Sequence, residues 1–445
     1  MPKVIHPFPA DFLWGCSTAA HQVEGNNNND WTVWEKTPGH VWHDIPSGAA
    51  CDWWAGKRYL GDFDRAAAMQ NNAQRISIEW SRIEPEPGRW NDDAIDFYRE
   101  MLKALRDRGM RPMVTLHHFS NPLWIGEKQG WLWDDTPTYF ERFVQKAAPA
   151  LVDLCDLWCT INEPMIYAAQ GFTQGIWPPG VKNGGALSQV VLNLLRGHAR
   201  AYHVIKAIEP QAEIGFASHF LGVRAAFPQF VNFTAMRLMN FFLNKAFASA
   251  ISSGTAWLPN FKRVAVPNLK GTLDWIGLQY YQQIQIRFDL RHPETSFVYM
   301  DKPRDMVVGP GTWGGFDPGA TGEILRELWS VVRKPIYITE AGTPDPSDAR
   351  RPAYLLHTLY SAYAALKSGV PLRGFFVWSL LDNFEWAEGF APEFSFGLYR
   401  TDFATQERVA RPSAELYKEI CAQNGLTEEM FARYTPELLA KDNAE

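Results

Sequence analysis

Two glutamates, Glu163 and Glu340, each follow a short apolar run that reads as a strand, Leu157 to Ile161 and Ile336 to Thr339. Two carboxyl groups held in one cleft can cleave a glycosidic bond, because one protonates the departing oxygen while the other meets the anomeric carbon. Taken singly, a Glu after a strand is more often solvated or ion-paired at the surface. The company these two keep argues otherwise. Other strand ends carry Gln22 and Glu24, Arg75, His117 and His118, Asn162, and a run from Trp378 through Asp382 to Glu385 and Trp386. A close Arg75 would keep Glu340 ionised, whereas an apolar wall and the Glu340 charge would keep a proton on Glu163.

The elements that must position these groups alternate between short apolar runs and longer helical patterns, the signature of βαβ units and a parallel sheet. Strand candidates are Phe12 to Cys16, Ala73 to Ile78, Met113 to Leu116, Leu157 to Ile161, Ile214 to Ser218, Trp275 to Tyr280, Ile336 to Thr339 and Gly374 to Trp378. Eight of them over 445 residues predict an α/β fold, one (β/α)8 TIM barrel with extended βα loops, spanning 1–445 as a single catalytic domain. Polar residues at the strand ends then share the face on which such barrels build their sites. Asn91 is placed to cap a helix with apolar positions Ile95, Tyr98, Leu102 and Leu105, ended by Gly109. Helices are also expected over Tyr139 to Leu154 and Tyr354 to Gly369. Trp14-Gly-Cys-Ser-Thr-Ala lacks the later glycines of a dinucleotide turn, which argues against a Rossmann fold.

Composition narrows the function classes. A net charge of -6 with both signs interspersed offers no stripe for phosphates, so nucleic acid is not an expected partner, nor is a membrane surface. The N-terminus lacks the apolar stretch of a secretory signal, and a cytoplasmic location follows by default. Nineteen Trp, 15 Tyr and 28 Phe supply flat faces for sugar rings as well as for a large core. Five scattered cysteines suit reduced thiols, and Cys155 and Cys159 lack the partner ligands of a metal site, so they are read as packing residues.

Four motifs in order and spacing carry a resemblance: Phe12-Leu-Trp-Gly-Cys-Ser-Thr-Ala-Ala-His-Gln-Val-Glu-Gly25, Thr160-Ile-Asn-Glu-Pro164, Tyr337-Ile-Thr-Glu-Ala-Gly342 and Trp378-Ser-Leu-Leu-Asp-Asn-Phe-Glu-Trp-Ala-Glu-Gly389. From about Phe12 to Tyr417 the chain resembles the family 1 glycoside hydrolases, the β-glucosidase family. The resemblance implies a (β/α)8 barrel, retention of anomeric configuration, no metal or organic cofactor, and β-glucosides, β-galactosides or β-fucosides as substrates. It implies Glu163 as acid/base, Glu340 as nucleophile, Asn162 on the sugar 2-OH and Tyr281 as donor to the nucleophile. Gln22, His118, Trp378, Glu385 and Trp386 are similar to the subsite that grips the non-reducing sugar, which leaves His117 structural. Glu385 stands where relatives that take 6-phosphorylated sugars usually have serine, and a carboxylate would repel a phosphate. Ala341, Gln279 and Phe119 depart from the family's usual Asn, Asn and Trp.

Tyr280 is expected to pack away from the site, since adjacent strand residues face opposite ways. His198, His203 and His219 show no ligand spacing and are assigned core or surface roles, and Glu79, Glu84 and Glu86 are assigned to rim ion pairs. A C-terminal extension from about 427 to 445 would pack on the barrel as short amphipathic helices or contribute to a homo-oligomer contact. Two other functions fit the same residues: transglycosylation through the same glycosyl-enzyme, and a catalytically inactive sugar-binding barrel.

Overall fold

The eight apolar runs pair in parallel and close on one another. In the computed structural model, which describes residues 3–226, 230–291, 298–311 and 313–442, the barrel strands are β1 (Leu13–Ser17), β2 (Ala73–Ser77), β3 (Arg111–His117), β4 (Leu157–Asn162), β5 (Glu213–His219), β6 (Trp275–Gln279), β7 (Ile336–Ala341) and β8 (Leu372–Trp378). Each pairs with its sequence neighbours, and β8 returns to β1 to complete a (β/α)8 TIM barrel. The last strand begins two residues earlier than its apolar run because Leu372 already pairs with Ile336.

Helices form where period and caps agree. Helix α1 (Asp92–Asp107) starts at Asn91, whose Oδ1 accepts from the Ala94 N–H at 3.4 Å, and Asp92 and Asp93 in its first turn complement the helix dipole. Past its end Gly109 takes φ 74°, a left-handed conformation that favours glycine. Helix α2 (Thr136–Leu151) buries Phe140, Phe143, Val144, Ala147 and Leu151 on one face. The longest helix among the described residues, α3 (Ala186–Ile208), follows β4, and α4 (Phe230–Asn240), α5 (Thr321–Val332) and α6 (Arg351–Lys367) come after it in the chain.

Side chains fill the inside of the barrel. Ala73, Met113, Leu157, Cys159, Ala217, Trp275, Tyr337 and Phe376 form one buried cluster, with at least one member from each of β2 to β8. Three large rings fit there because glycines face two of them: a Cβ on Gly15 would lie 2.7 Å from the Phe376 ring, and one on Gly215 would lie 2.5 Å from the Trp275 ring. The plug forms a floor, so the polar residues at the strand ends sit above a dry, rigid layer. Cys155 and Cys159 are both buried, their thiols directed at backbone carbonyls.

Two additions flank the barrel. Strands Gly222–Ala225, Gln283–Phe288 and Val298–Asp301 make a side sheet that carries α4 on Ile284 and Ile286. Gly425–Thr427 pairs antiparallel with Val4–Pro7, after which Glu428–Tyr434 and Pro436–Asp442 are short helices with Met430, Phe431 and Leu438 turned inward. Among the described residues no helix is long and apolar enough to cross a membrane.

Candidate active site

The strand ends converge on Glu340, near the end of β7. Its Oε1 receives the Arg75 guanidinium and the Gln279 amide, the latter at 2.6 Å, and its Oε2 accepts the Tyr281 hydroxyl at 2.6 Å. Arg75 rises from β2 through the floor, wholly buried, and its second nitrogen donates to Asn162 Oδ1 at 2.5 Å. The Gln279 amide also reaches Asn162 Oδ1, at 2.8 Å, and Asn162 Nδ2 lies 3.2 Å from His118 Nε2. Residues from β2, β4, β6 and β7, with His118 just past β3 and Tyr281 just past β6, thus form one hydrogen-bonded chain from His118 to Glu340.

Glu163 follows β4 and opens the short helix Pro164–Ala169. Its backbone is left-handed (φ 43°, ψ 59°), and its N–H donates to the Ala217 carbonyl at 2.8 Å, which turns the chain sharply at the rim. Pro164 suits the first helical position, where no intrahelical N–H bond is needed. The Glu163 Oε1 lies 3.1 Å from His219 Nδ1.

Burial pushes the Glu340 carboxyl up to about 7; Arg75 pulls it down, Glu163 pushes it further up, and the Tyr281 bond pulls it down. The two acids therefore feel one another, and the donors decide where charge rests. Three donors, one of them a cation, stabilise charge on Glu340. Burial would lower Arg75, but the Glu340 charge, Cys159 and the hydrogen bond to Glu340 together outweigh it, so the guanidinium stays charged. Burial, then the charges of Arg75 and His117, hold His118 well below the usual imidazole range, leaving it neutral.

Beside this pair is a pocket of unpaired polarity and aromatic faces. Gln22 Nε2 reaches the Phe384 carbonyl at 2.8 Å, Asn383 Oδ1 at 3.0 Å and Glu385 Oε2 at 3.4 Å, while Gln22 Oε1 and His118 Nδ1 are buried without a partner among the described residues. His118 lies parallel to the Trp378 and Trp386 rings at 6.1 and 6.0 Å. Burial drives the Glu385 carboxyl well above its ordinary value, with Glu388 and Glu340 adding to the rise. Phe119 extends the aromatic wall between Trp177 (4.8 Å) and Trp386 (5.1 Å), and Trp313 edges Tyr281 at 5.8 Å.

The profile of Glycosyl hydrolase family 1 matches residues 4–426. The chain belongs to glycosyl hydrolase family 1. Beta-glucosidase A of Thermotoga maritima is 31% identical to it, over 95% of this chain and 99% of that protein. A beta-galactosidase of Saccharolobus solfataricus is 28% identical, over 96% and 97%. Among solved structures, a beta-glycosidase from Pyrococcus horikoshii superposes with a TM-score of 0.89 at 33% identity, covering 98% of each chain. A family 1 β-glucosidase from Thermotoga maritima does so with 0.89 at 30% identity, covering 96% of this chain and all of the other. The protein is accordingly a family 1 β-glycosidase, an enzyme acting on O-glycosyl bonds.

Two residues of this family 1 enzyme stand in the site where the sequence does not assign them. His219, assigned to core or surface, is the side chain against Glu163, and Gln279, noted only as a departure, joins Glu340 to Asn162. Both end barrel strands on the site face, in register with one another. That position is a signal the sequence carries, and metal-ligand spacing does not register it. Glu79 also differs from expectation. It is buried and accepts from the Ser81 and Ser120 hydroxyls at 2.8 Å each, whereas Glu84 and Glu86 do pair with Arg142 and Arg89. Glu24 and Asp382 are turned away from the site into ion pairs with Arg82 and Arg411. Tyr280 turns outward to the Asp317 carbonyl, His117 is bound to Asn121 and Trp131, and His198 is buried between Thr160 and Thr272.

Proposed function

We infer that the enzyme hydrolyses terminal, non-reducing β-D-glucosyl and related residues with net retention, using Glu340 as nucleophile and Glu163 as acid/base. The observation that carries the assignment is the asymmetry of donors. Glu340 has Arg75, Gln279 and Tyr281 on its oxygens, whereas among the described residues Glu163 has His219 alone.

In the first step a Glu340 oxygen attacks the anomeric carbon and the bond to the leaving oxygen breaks. Glu163 gives its proton to that oxygen as charge develops there. The product is a glycosyl ester on Glu340 and a free aglycone alcohol. With the ester formed, the Glu340 charge is gone and Glu163 is a carboxylate. It then takes a proton from water as the water oxygen attacks the anomeric carbon, which releases Glu340 and restores both acids. Asn162 would hold the sugar 2-OH, a contact that strengthens as oxocarbenium character grows.

Substrate class follows from the adjoining pocket. Gln22 Oε1, His118 Nδ1 and the Glu385 carboxyl offer acceptors and a donor to sugar hydroxyls, and the Trp378 and Trp386 faces offer apolar surface to the ring. Glu385 and Glu388 supply no cation for a 6-phosphate, and either would repel it once ionised. Five unpaired cysteines, all buried, suit a reducing, cytoplasmic compartment. Glu340→Gly decides the mechanism. It should lose hydrolysis of an aryl β-glucoside and, given azide, release the α-glycosyl azide; undiminished hydrolysis would remove Glu340 from the nucleophile's role.

A further inference from the structure

The chain-wide charge balance hides a local imbalance. Between Glu213 and Asp274 there are six Lys and Arg and not one Asp or Glu. The same stretch contains α4, whose inner face packs on the side sheet through Ala235 and whose outer face is apolar and exposed. Phe230 is 88% exposed, and Phe233 and Leu238 continue the outward face at helical spacing. Beyond the helix, Phe241 and Phe242 pack on Trp257 of the hairpin Thr255–Trp257/Arg263–Ala265, whose tip holds Phe261 at 63% exposure. Large rings so exposed and so grouped mark a docking surface.

The cations choose the occupant. Arg224 and Lys245 are answered from outside the stretch by Asp305 and Glu327, but Arg237, Lys262 and Arg263 are exposed and form no ion pair among the described residues. Arg263 lies over the Trp257 ring at 5.2 Å, so the cations are set among the aromatics. Aromatic side chains interleaved with unpaired cations match an anionic lipid surface, with rings entering the acyl boundary and cations meeting the headgroups. A second copy of this chain would instead press like charges together.

We propose that α4 and the hairpin tip dock on an anionic lipid bilayer. The side sheet beneath α4 springs from the active-site rim, since Gly222 begins three residues after His219 and Gln283 two after Tyr281. Docking would therefore set the barrel mouth close to the lipid interface, and it does not depend on which glycoside is cleaved.

Co-sedimentation with phosphatidylglycerol vesicles, phosphatidylcholine vesicles and no vesicles tests this on the full chain. The expected result is pelleting with the anionic vesicles, weakened by salt and at least about tenfold weaker for Phe230→Ser/Phe233→Ser/Phe261→Ser and for Arg237→Glu/Lys262→Glu/Arg263→Glu. Circular dichroism and melting temperature establish that each variant is folded, and the two sets target different residues. Absence of wild-type pelleting, equal pelleting with neutral vesicles, or a wild-type dimer that the Phe variant dissociates while no vesicle binding is seen would each overturn the proposal.

Discussion

One nitrogen of Gln279 lies 2.6 Å from Glu340 Oε1 and 2.8 Å from Asn162 Oδ1, so a single amide joins the group assigned to the anomeric carbon and the group assigned to the sugar 2-OH. Either contact alone could be replaced by water. Making both from one rigid strand end holds the two partners at a set separation, which a reacting ring would use. Gln279→Leu should therefore lower kcat for an aryl β-glucoside about 100-fold with a smaller change in KM. Steady-state kinetics checks this, and an unchanged kcat would reduce the amide to packing.

Tyr281 gives a pH test. As the proposed nucleophile Glu340 has to be ionised, so kcat/KM should fall as pH drops through its pKa, which burial has pushed up to about 7. The Tyr281 hydroxyl, 2.6 Å from Oε2, favours the ionised form. Tyr281→Phe removes that donor and should move the acid limb of kcat/KM upward by about one pH unit, the equivalent of one hydrogen bond to a charged group. A downward move would contradict the assignment of Glu340.

His219 is read by varying the leaving group. His219→Phe keeps a ring against Tyr281, which now lies parallel at 6.0 Å, and removes the nitrogen facing Glu163. Turnover of a phenyl β-glucoside, which needs protonation, should fall about tenfold, while a dinitrophenyl β-glucoside should be cleaved at the wild-type rate. Equal losses on both would mean that His219 acts on something other than proton delivery.

The barrel floor is tested through stability. Gly215→Ala brings a Cβ to 2.5 Å from the Trp275 ring, inside a layer with no room to yield. The expected cost is about 3 kcal/mol, seen as a lower urea midpoint. Gly88→Ala is the control for crowding, since a Cβ there meets nothing within 4 Å and only its positive φ opposes it; it should cost about 1 kcal/mol.

Apolar period and turn chemistry are local properties, and they sufficed for the eight strands, for the cap at Asn91 and for the placing of Glu163 and Glu340 at strand ends. The four motifs carried the family because each residue type there answers a need of its own neighbourhood. Which polar side chains meet depends on how strands far apart in the chain are staggered round the barrel. Register sets Gln279 beside His219 on one side and Glu340 on the other, and nothing in the run Trp275 to Gln279 encodes that. The exposed face of α4 is similar in kind. Its residues are apolar enough to read as core, and only the packing of Ala235 on the side sheet decides that Phe230 and Phe233 point away from it. Composition and period act over a few residues, whereas register and burial are settled by the whole closed sheet, so a strand-end position could mark His219 and Gln279 but only the tertiary structure decides which groups they, and the face of α4, meet.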